Sequence, residues 1–104
     1  MLESFTRVLL WRNGLLPERT QFPFRCAATG WTGQLDFAWP SLRAALECDG
    51  YVWHADRGPF QGDRRRWSAL NRAGWHSGVV TWFDVMHDPD YVVDLVRDLL
   101  LRAS

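Results

Sequence analysis

The segment ALECDGYVWHADRGPFQGDRRRW concentrates ionisable side chains in a chain that must also bury an apolar core. Glu47 and Asp49 stand at the end of an apolar run, His54 follows them, and Asp63 precedes three consecutive arginines. Asp36 lies upstream, in the alternating stretch GQLDFAW. Carboxylates bind hard divalent cations and histidine titrates near neutral pH, so these residue types suit metal-assisted acid and base chemistry. Whether they meet depends on the elements that carry them.

Length and composition indicate one compact domain over residues 1–104, with 47% hydrophobic and 14% aromatic residues. The net charge is zero at pH 7, so it favours neither a nucleic acid nor a membrane as partner. Cys26 and Cys48 are too few for a disulfide framework or a zinc site, and we expect buried free thiols, as in a reducing cytoplasm. The opening MLESFTRVLLWRNG carries an acid and two arginines, so we expect neither a signal peptide nor a membrane span.

Hydrophobic periodicity and turn residues predict helices and strands in the order αβββαβα. Helices are predicted over residues 2–13 and 59–73 and from Pro89 onward. Strands are predicted over residues 21–28, 33–39, 43–49 and 78–82. Gly14 and Gly74 are expected to end the first two helices, and Asp88 to be the N-cap of the last.

A hairpin between the second and third predicted strands would gather carboxylates on one face. A turn at the sequence WPSL places Asp36 opposite Ala45. Because side chains alternate faces with a period of two, Asp36, Glu47 and Asp49 then share one face. On this register Asp36 and Glu47 are diagonal neighbours, roughly 7 Å apart at the backbone. The opposite face is expected to be an apolar core surface formed by Leu35, Phe37, Trp39, Ala44, Leu46 and Cys48.

Two carboxylates at that separation can hold one divalent cation between their oxygens. Hard cations prefer carboxylate, carbonyl and water ligands, so the predicted ligands are Asp36, Glu47 and the backbone carbonyl of Cys48. The predicted metal is Mg²⁺, for which Mn²⁺ should substitute. Each acid alone also fits an ordinary solvated sheet face, and their coincidence on one face is what favours a metal site.

The predicted helix that contains DRRRW places an acid and arginines close to this face. On a helical wheel Asp63 lies on the inward stripe with Trp67, whereas Arg65 faces solvent. Arg64 and Arg66 flank the stripe. The arginines therefore fit either a solvated helix face or an edge that contacts phosphate through Arg64 and Arg66.

Several runs of this sequence resemble the small Vsr-like (very-short-patch-repair) endonuclease domains of the PD-(D/E)XK nuclease superfamily. The runs are LESFTRVLLWRNGLLPERTQ, GQLDFAWPSLRAALECDG, DRRRWSALNRAGW and VVTWFDV, and together they cover nearly the whole chain. The most specific part is the spacing from Asp36 through Glu47 to His54 and Asp63. The run GYVWH also resembles the Gly-Cys-Phe-Trp-His run of the mismatch-nicking repair enzymes, which aligns His54 with their catalytic histidine.

The resemblance implies an α/β restriction-endonuclease-like fold, with a central mixed sheet flanked by helices, and Mg²⁺-dependent hydrolysis of a DNA phosphodiester. Carried over by position, the implied roles are metal ligand for Asp36, motif acid for Glu47, general base or water-positioning residue for His54, its partner or an outer metal ligand for Asp63, and first-helix acid for Glu3. A bound metal polarises the phosphate and lowers the pKa of a water, which makes these roles chemically coherent. Trp53, beside His54, is expected to stack on a base or sugar or to belong to the core.

The sequence departs from the family pattern at two positions close to this set. Asp49, which we count among the catalytic candidates, stands where the motif usually has Lys. Val79 stands where the last strand usually has Arg, so that strand supplies no cation.

These features leave two hypotheses of different classes. The first is a metal-dependent endonuclease that nicks or cleaves duplex or damaged DNA. The second is a catalytically degenerate nuclease-fold module that binds DNA or protein, for example in a toxin–antitoxin or phage-defence system. Partners expected beside DNA are a second copy in a homodimer, or a fused or associated DNA-binding or antitoxin protein.

Overall fold

The computed structural model describes residues 2–49 and 61–104, and for residues 61–63 it describes the backbone alone. The helices are α1 (Leu2–Arg12), α2 (Gln61–Arg72), α3 (Trp82–His87) and α4 (Pro89–Ala103). The strands are β1 (Arg19–Arg25), β2 (Thr32–Trp39), β3 (Ala44–Asp49) and β4 (His76–Thr81). A 3₁₀ turn over Pro40–Leu42 joins β2 to β3. The predicted order αβββαβα is thus confirmed for the described residues, with one additional helix, α3.

The strands form one mixed sheet in the order β1, β2, β3, β4. β1 pairs with β2 and β2 with β3 in antiparallel fashion, whereas β3 and β4 are parallel. A parallel pair needs a crossover connection, and α2 lies within it. The mixed sheet that the resemblance implies is therefore present.

Helices cover both faces of the sheet, and each face has its own apolar core. On the face of α1, α3 and α4 the buried residues are Leu2, Leu10, Phe37, Trp39, Ala44, Leu46, Val80, Val85, Val92, Val96 and Leu99. On the face of α2 they are Phe24, Cys26, Leu35, Ala38, Ala45, Ala69 and Leu70. A sheet buried on both faces cannot expose a whole row of acids. Asp36 and Glu47 therefore lie at a point where the helices leave the sheet incompletely covered.

Helix boundaries follow local signals in most places. Gly14 has φ 70°, the left-handed conformation that ends a helix, and the N–H of Leu15 bonds back to the Leu10 carbonyl at 2.9 Å. Asp88 caps α4 as predicted, accepting a hydrogen bond from the N–H of Tyr91. Helix α3 is not among the predicted elements, although its start has a capping box, in which the side chains of Thr81 and Asp84 each accept a hydrogen bond from the other's backbone N–H.

The predicted register of the β2–β3 hairpin is wrong by two residues. Ala38, not Asp36, pairs with Ala45, because the connection uses four residues instead of two. Arg43 adopts the left-handed conformation with φ 53° and its N–H bonds to the Pro40 carbonyl, so pairing begins only at Ala44. A shift of two preserves which face each side chain occupies, but it brings Asp36 level with Glu47.

The alternation predicted for β2 fails at one residue. Leu35 packs with Ala38 and Ala45 in the core beneath α2, not with Phe37. The backbone N–H of Asp36 donates to the Glu47 side chain, so the regular ladder is interrupted at this level. The wheel for α2 needs a correction too, because Trp67 is 41% exposed and the inward face is centred on Ala69 and Leu70.

Candidate active site

Asp36 and Glu47 meet where β2 and β3 lie side by side, and each carboxylate accepts a hydrogen bond from the other strand. Asp36 Oδ2 accepts from the N–H of Cys48 at 2.8 Å, and Glu47 Oε2 accepts from the N–H of Asp36 at 3.1 Å. Both acids open onto a cleft of about 270 Å³. Its walls are formed by Asp36, Glu47, Cys48, Asp49, Arg66, Trp67 and Val79.

Glu47 is a buried acid, with only 6% of its surface exposed. Burial raises the pKa of Glu47 to about 7, and the nearby carboxylate of Asp36 acts in the same direction. The N–H of Asp36 and the Arg66 guanidinium oppose the rise because both interact favourably with the ionised form. With a pKa of about 7, the Glu47 carboxyl loses its proton near neutral pH.

Arg66 brings a cation to this acid from α2. Its Nη1 donates to Glu47 Oε1 and to the carbonyl of Gln34, the latter at 3.0 Å. The guanidinium carbon also lies 5.0 Å from the centre of the Trp31 ring. β4 contributes only Val79 to the cleft, as predicted, but the site does not lack a cation, since α2 provides one.

Glu3 joins the same cluster through Gln21. The amide nitrogen of Gln21 donates to Glu3 Oε2 at 2.9 Å and reaches Asp36 Oδ1 at 3.5 Å. The pKa of Glu3 is raised, first by its hydrogen-bonding contact with the Asp36 carboxyl and then by partial desolvation. Gln21 has φ 48°, an uncommon conformation for a residue other than glycine, and such strain is often found at functional sites.

The Cys48 side chain contacts α1. Its Sγ donates to the Thr6 hydroxyl at 3.6 Å, and burial raises the pKa of the thiol to about 12. The thiol is therefore protonated at neutral pH and belongs to the contact with α1. Asp49, the last residue of β3, lines the cleft with Glu47.

The structure brings together Glu3, Asp36, Glu47 and Asp49 from the predicted site, and Arg66 from the predicted DNA contacts. His54, Trp53 and the side chain of Asp63 lie outside the described residues. Within the described residues, no three acidic, histidine or cysteine side chains are grouped as metal ligands. A metal between Asp36 and Glu47 would therefore need the backbone carbonyl or ligands from elsewhere.

Two residues of the site were missed by sequence reasoning. Gln21 depends on an unusual backbone conformation, and Trp31 reaches Arg66 only because β2 and α2 pack together. Arg64 and Arg65 are exposed, and both line a second, larger cleft beside Trp31. No short-range pattern predicts these contacts.

Comparison with known proteins identifies the fold. No family model matches the chain. The solved structure of the "Homing Endonuclease I-Bth0305I Catalytic Domain" matches 99% of this chain and 96% of its own, with a TM-score of 0.68 and 18% identity. With its mixed sheet flanked by helices, the chain has the restriction-endonuclease-like α/β fold, as the resemblance implied.

Sequence relatives come from Mycobacterium tuberculosis. "Uncharacterized protein MT2308" of strain CDC 1551 / Oshkosh and "Uncharacterized protein Rv2248" of strain H37Rv are each 32% identical to this chain over 102 residues. The match covers 98% of this chain but spans only 37% of the length of each relative. Among the helices of the described residues, none combines the length and apolar character that crossing a membrane requires.

Proposed function

We propose that this chain is a Mg²⁺-dependent endonuclease of the Vsr-like class that nicks or cleaves duplex or damaged DNA. The observation that carries the proposal is the pair of carboxylates, Asp36 and Glu47, which face one cleft from neighbouring strands. The fold supports it, because the protein of similar structure is a homing endonuclease catalytic domain. The matched region is only 37% of each relative, so nuclease activity of such longer proteins is likewise a proposal.

The donor set at the cleft suits a hard divalent cation. Asp36 and Glu47 would hold Mg²⁺ or Mn²⁺, with the Cys48 carbonyl as a further ligand. Bound there, the metal supplies polarisation of the phosphate and a water of lowered pKa. Arg66 already neutralises Glu47, so a cation and the guanidinium compete for that carboxylate.

The residues of the chain prepare this site in two ways. The N–H groups of Asp36 and Cys48 fix the orientation of the two carboxylates, so little reorganisation is needed when a cation binds. Gln21 orients the free side of the Asp36 carboxyl and links it to Glu3. Preorganised oxygens of this kind are what a phosphodiester hydrolase needs at its metal.

The remaining roles follow from the family resemblance. We assign His54 as the base that accepts a proton from the attacking water, with Asp63 as its partner. Asp49 completes the acidic edge of the cleft. Arg64 and Trp53 are proposed to contact the DNA backbone and a base or sugar.

The proposed partners and location follow from the same resemblance. DNA is the substrate, and a second copy or an associated DNA-binding or antitoxin protein is the further partner. The proposed location is the cytoplasm, where free thiols such as Cys26 and Cys48 remain reduced.

One observation favours the binding-module alternative. Both oxygens of Glu47 are engaged, one by Arg66 and the other by the N–H of Asp36, so the charge of the acid is satisfied without a metal. A nuclease fold that had lost its metal could retain such a pair for stability alone. DNA or protein binding that is indifferent to divalent cations would then be the function.

Cleavage of supercoiled plasmid separates the two functions. The natural protein is incubated with Mg²⁺, Mn²⁺ or EDTA, beside Asp36→Asn, Glu47→Gln and His54→Ala. The matched control is Arg97→Ala, an exposed residue on α4, the helix on the other face of the sheet. Metal-dependent nicking that survives only in the control and the natural protein supports the nuclease. Metal-independent DNA binding by a folded, inactive protein supports the module.

A further inference from the structure

A cleft of about 660 Å³, larger than the acidic one, lies beside it between α2 and the turn that joins β1 to β2. It is lined by Thr29, Gly30, Trp31, Arg64, Arg65 and Ser68. Its volume falls in the range of pockets that take up a small molecule or a nucleotide-sized group. Among the residues that line it, only Arg64 is predicted from the sequence to contact phosphate.

The aromatic wall of this cleft is the Trp31 ring, which packs closely against the neighbouring residues. Trp31 lies so close to Gly33 that a Cβ added to the glycine would meet the ring at 2.4 Å, so only glycine admits the ring there. The N–H of Trp31 donates to the Thr29 hydroxyl at 3.2 Å, and its carbonyl accepts from the N–H of Cys26 at 2.9 Å. The Phe24 ring packs beside it, with the two ring centroids 6.1 Å apart. Trp31 is half-buried, so part of the ring still faces the cleft.

The polar wall of the cleft contains the guanidinium groups of Arg64 and Arg65. Arg64 and Arg65 are both exposed, and neither forms an ion pair within the part of the chain that the structure describes. Arg66, the next residue of α2, forms an ion pair with Glu47. Guanidinium groups bind phosphate oxygens through paired hydrogen bonds, so these two exposed arginines suit a phosphodiester backbone.

The two clefts share a wall. Arg66 binds Glu47 in the acidic cleft while its guanidinium lies 5.0 Å from the centre of the Trp31 ring, which lines the larger cleft. A DNA strand with one phosphate beside Asp36 and Glu47 could therefore continue into the larger cleft. The phosphates of an intact duplex lie on a convex surface, whereas a concave site with an apolar ring suits a nucleotide that has left the base stack.

We propose that this cleft binds an unpaired nucleotide next to the phosphate that is cut, with Arg64 and Arg65 on the flanking phosphates and Trp31 against the base or sugar. The inference rests on the proposed function and narrows its substrate to DNA with a single-stranded or displaced nucleotide. It also gives Arg65 a role, since this side chain lines the cleft although the helical wheel placed it in solvent.

The test is binding of fluorescein-labelled oligonucleotides, measured by anisotropy in EDTA so that no strand is cut. Three probes are compared: oligo-dT, a matched duplex, and the same duplex with central unpaired thymidines. We expect the natural protein to bind both probes with unpaired nucleotides at least about tenfold more tightly than the duplex, a factor that one stacked base can supply. Equal affinity for all three would overturn the proposal.

Variants of the lining residues test whether the cleft causes the preference for unpaired nucleotides. Arg64→Ala and Arg65→Ala should each lower the slope of log affinity against log salt by roughly 0.7 on oligo-dT, the value for one single-strand phosphate contact. Ser68→Trp fills the cleft from an exposed position and should abolish the preference without removing a core contact. Arg97→Ala is the matched control and should behave as the natural protein. Unchanged preference in Ser68→Trp, or unchanged slopes in both arginine variants, would refute the assignment.

The outcome is separable from that of the plasmid assay. A protein that binds unpaired nucleotides in the cleft but never nicks plasmid supports the cleft and refutes the nuclease. A protein that nicks with Mg²⁺ yet shows no preference among the probes refutes the cleft and supports the nuclease. Asp36→Asn should keep the preference, because Asp36 does not line the larger cleft.

Discussion

Replacement of Arg66 by Met tests whether the Arg66–Glu47 pair is an ionic contact that the fold depends on. Met keeps much of the apolar stem but removes the guanidinium, so Glu47 loses its cation while remaining buried. We expect the free energy of unfolding to fall at pH 8 and to change far less at pH 5.5. The pH dependence distinguishes a lost charge contact from lost packing, which would not depend on pH.

The expected magnitude follows from the burial of the two side chains. Exposed ion pairs are worth about 0–1 kcal/mol, whereas removing one partner of a fully buried pair costs about 3–5 kcal/mol. The Glu47 side chain is 8% exposed and the Arg66 side chain 26%, so the pair is buried on one side and partly solvated on the other. Because the pKa of Glu47 is about 7, a Glu47 left without its cation at pH 8 can bind a proton at a cost of only about 1.4 kcal/mol. We therefore expect a loss of about 1 kcal/mol at pH 8.

The direction of the pH effect follows from the pKa of Glu47. Because burial raises it to about 7 in the folded protein, the stability contributed by Glu47 is fully present below its ordinary value of 4.5 and is lost as pH rises through about 7. Removing Arg66 raises the pKa of Glu47 further. At pH 5.5 the acid is then largely neutral with or without Arg66, so the substitution should cost less than about 0.5 kcal/mol in charge interaction.

The assay is urea unfolding, followed by circular dichroism at both pH values. Arg66→Met, Glu47→Gln and the double variant form a cycle that isolates the coupling between the two side chains. We expect a coupling of about 1 kcal/mol at pH 8 that nearly vanishes at pH 5.5. Arg97→Met, an exposed change on α4, should cost less than about 0.5 kcal/mol at either pH. A coupling that is the same at both pH values would refute the reasoning.

Further predictions concern the metal, a glycine in β2 and the thiol. Millimolar Mg²⁺ or Mn²⁺ should raise the melting temperature of the natural protein and not that of Asp36→Asn; an unchanged melt in both would count against the site. Gly33→Ala should cost about 1–3 kcal/mol in chemical denaturation, because the new methyl group would overlap Trp31, whereas Gly78→Ala, whose Cβ would make an ordinary contact at 3.4 Å, should cost less. Burial raises the pKa of the Cys48 thiol to about 12, so it should react with iodoacetamide at pH 8 on the order of a hundredfold more slowly in the native protein than in urea. The rates are measured by mass spectrometry, and equal rates would contradict the burial of the thiol.

Much of the fold could be predicted because its signals are local. Gly14 and Asp88 act within one helical turn, and the strands alternate with a period of two that survives even a wrong register. The carboxylates of Asp36 and Glu47 were accordingly expected on one face, and the structure places them in one cleft. The register itself depended on Arg43, whose left-handed conformation no sequence rule required.

The sequence by itself determined the order of the elements and the placement of Asp36 and Glu47 on one face of the hairpin, since both depend on periodicity and turn residues along the chain. Only the tertiary structure decided that Arg66 neutralises Glu47, that Gln21 links Glu3 to Asp36, and that Glu47 is buried enough to titrate near pH 7. These properties arise from contacts between elements that are distant in the chain. Charge and burial at a point are sums over everything packed around it, so no short stretch of sequence contains them.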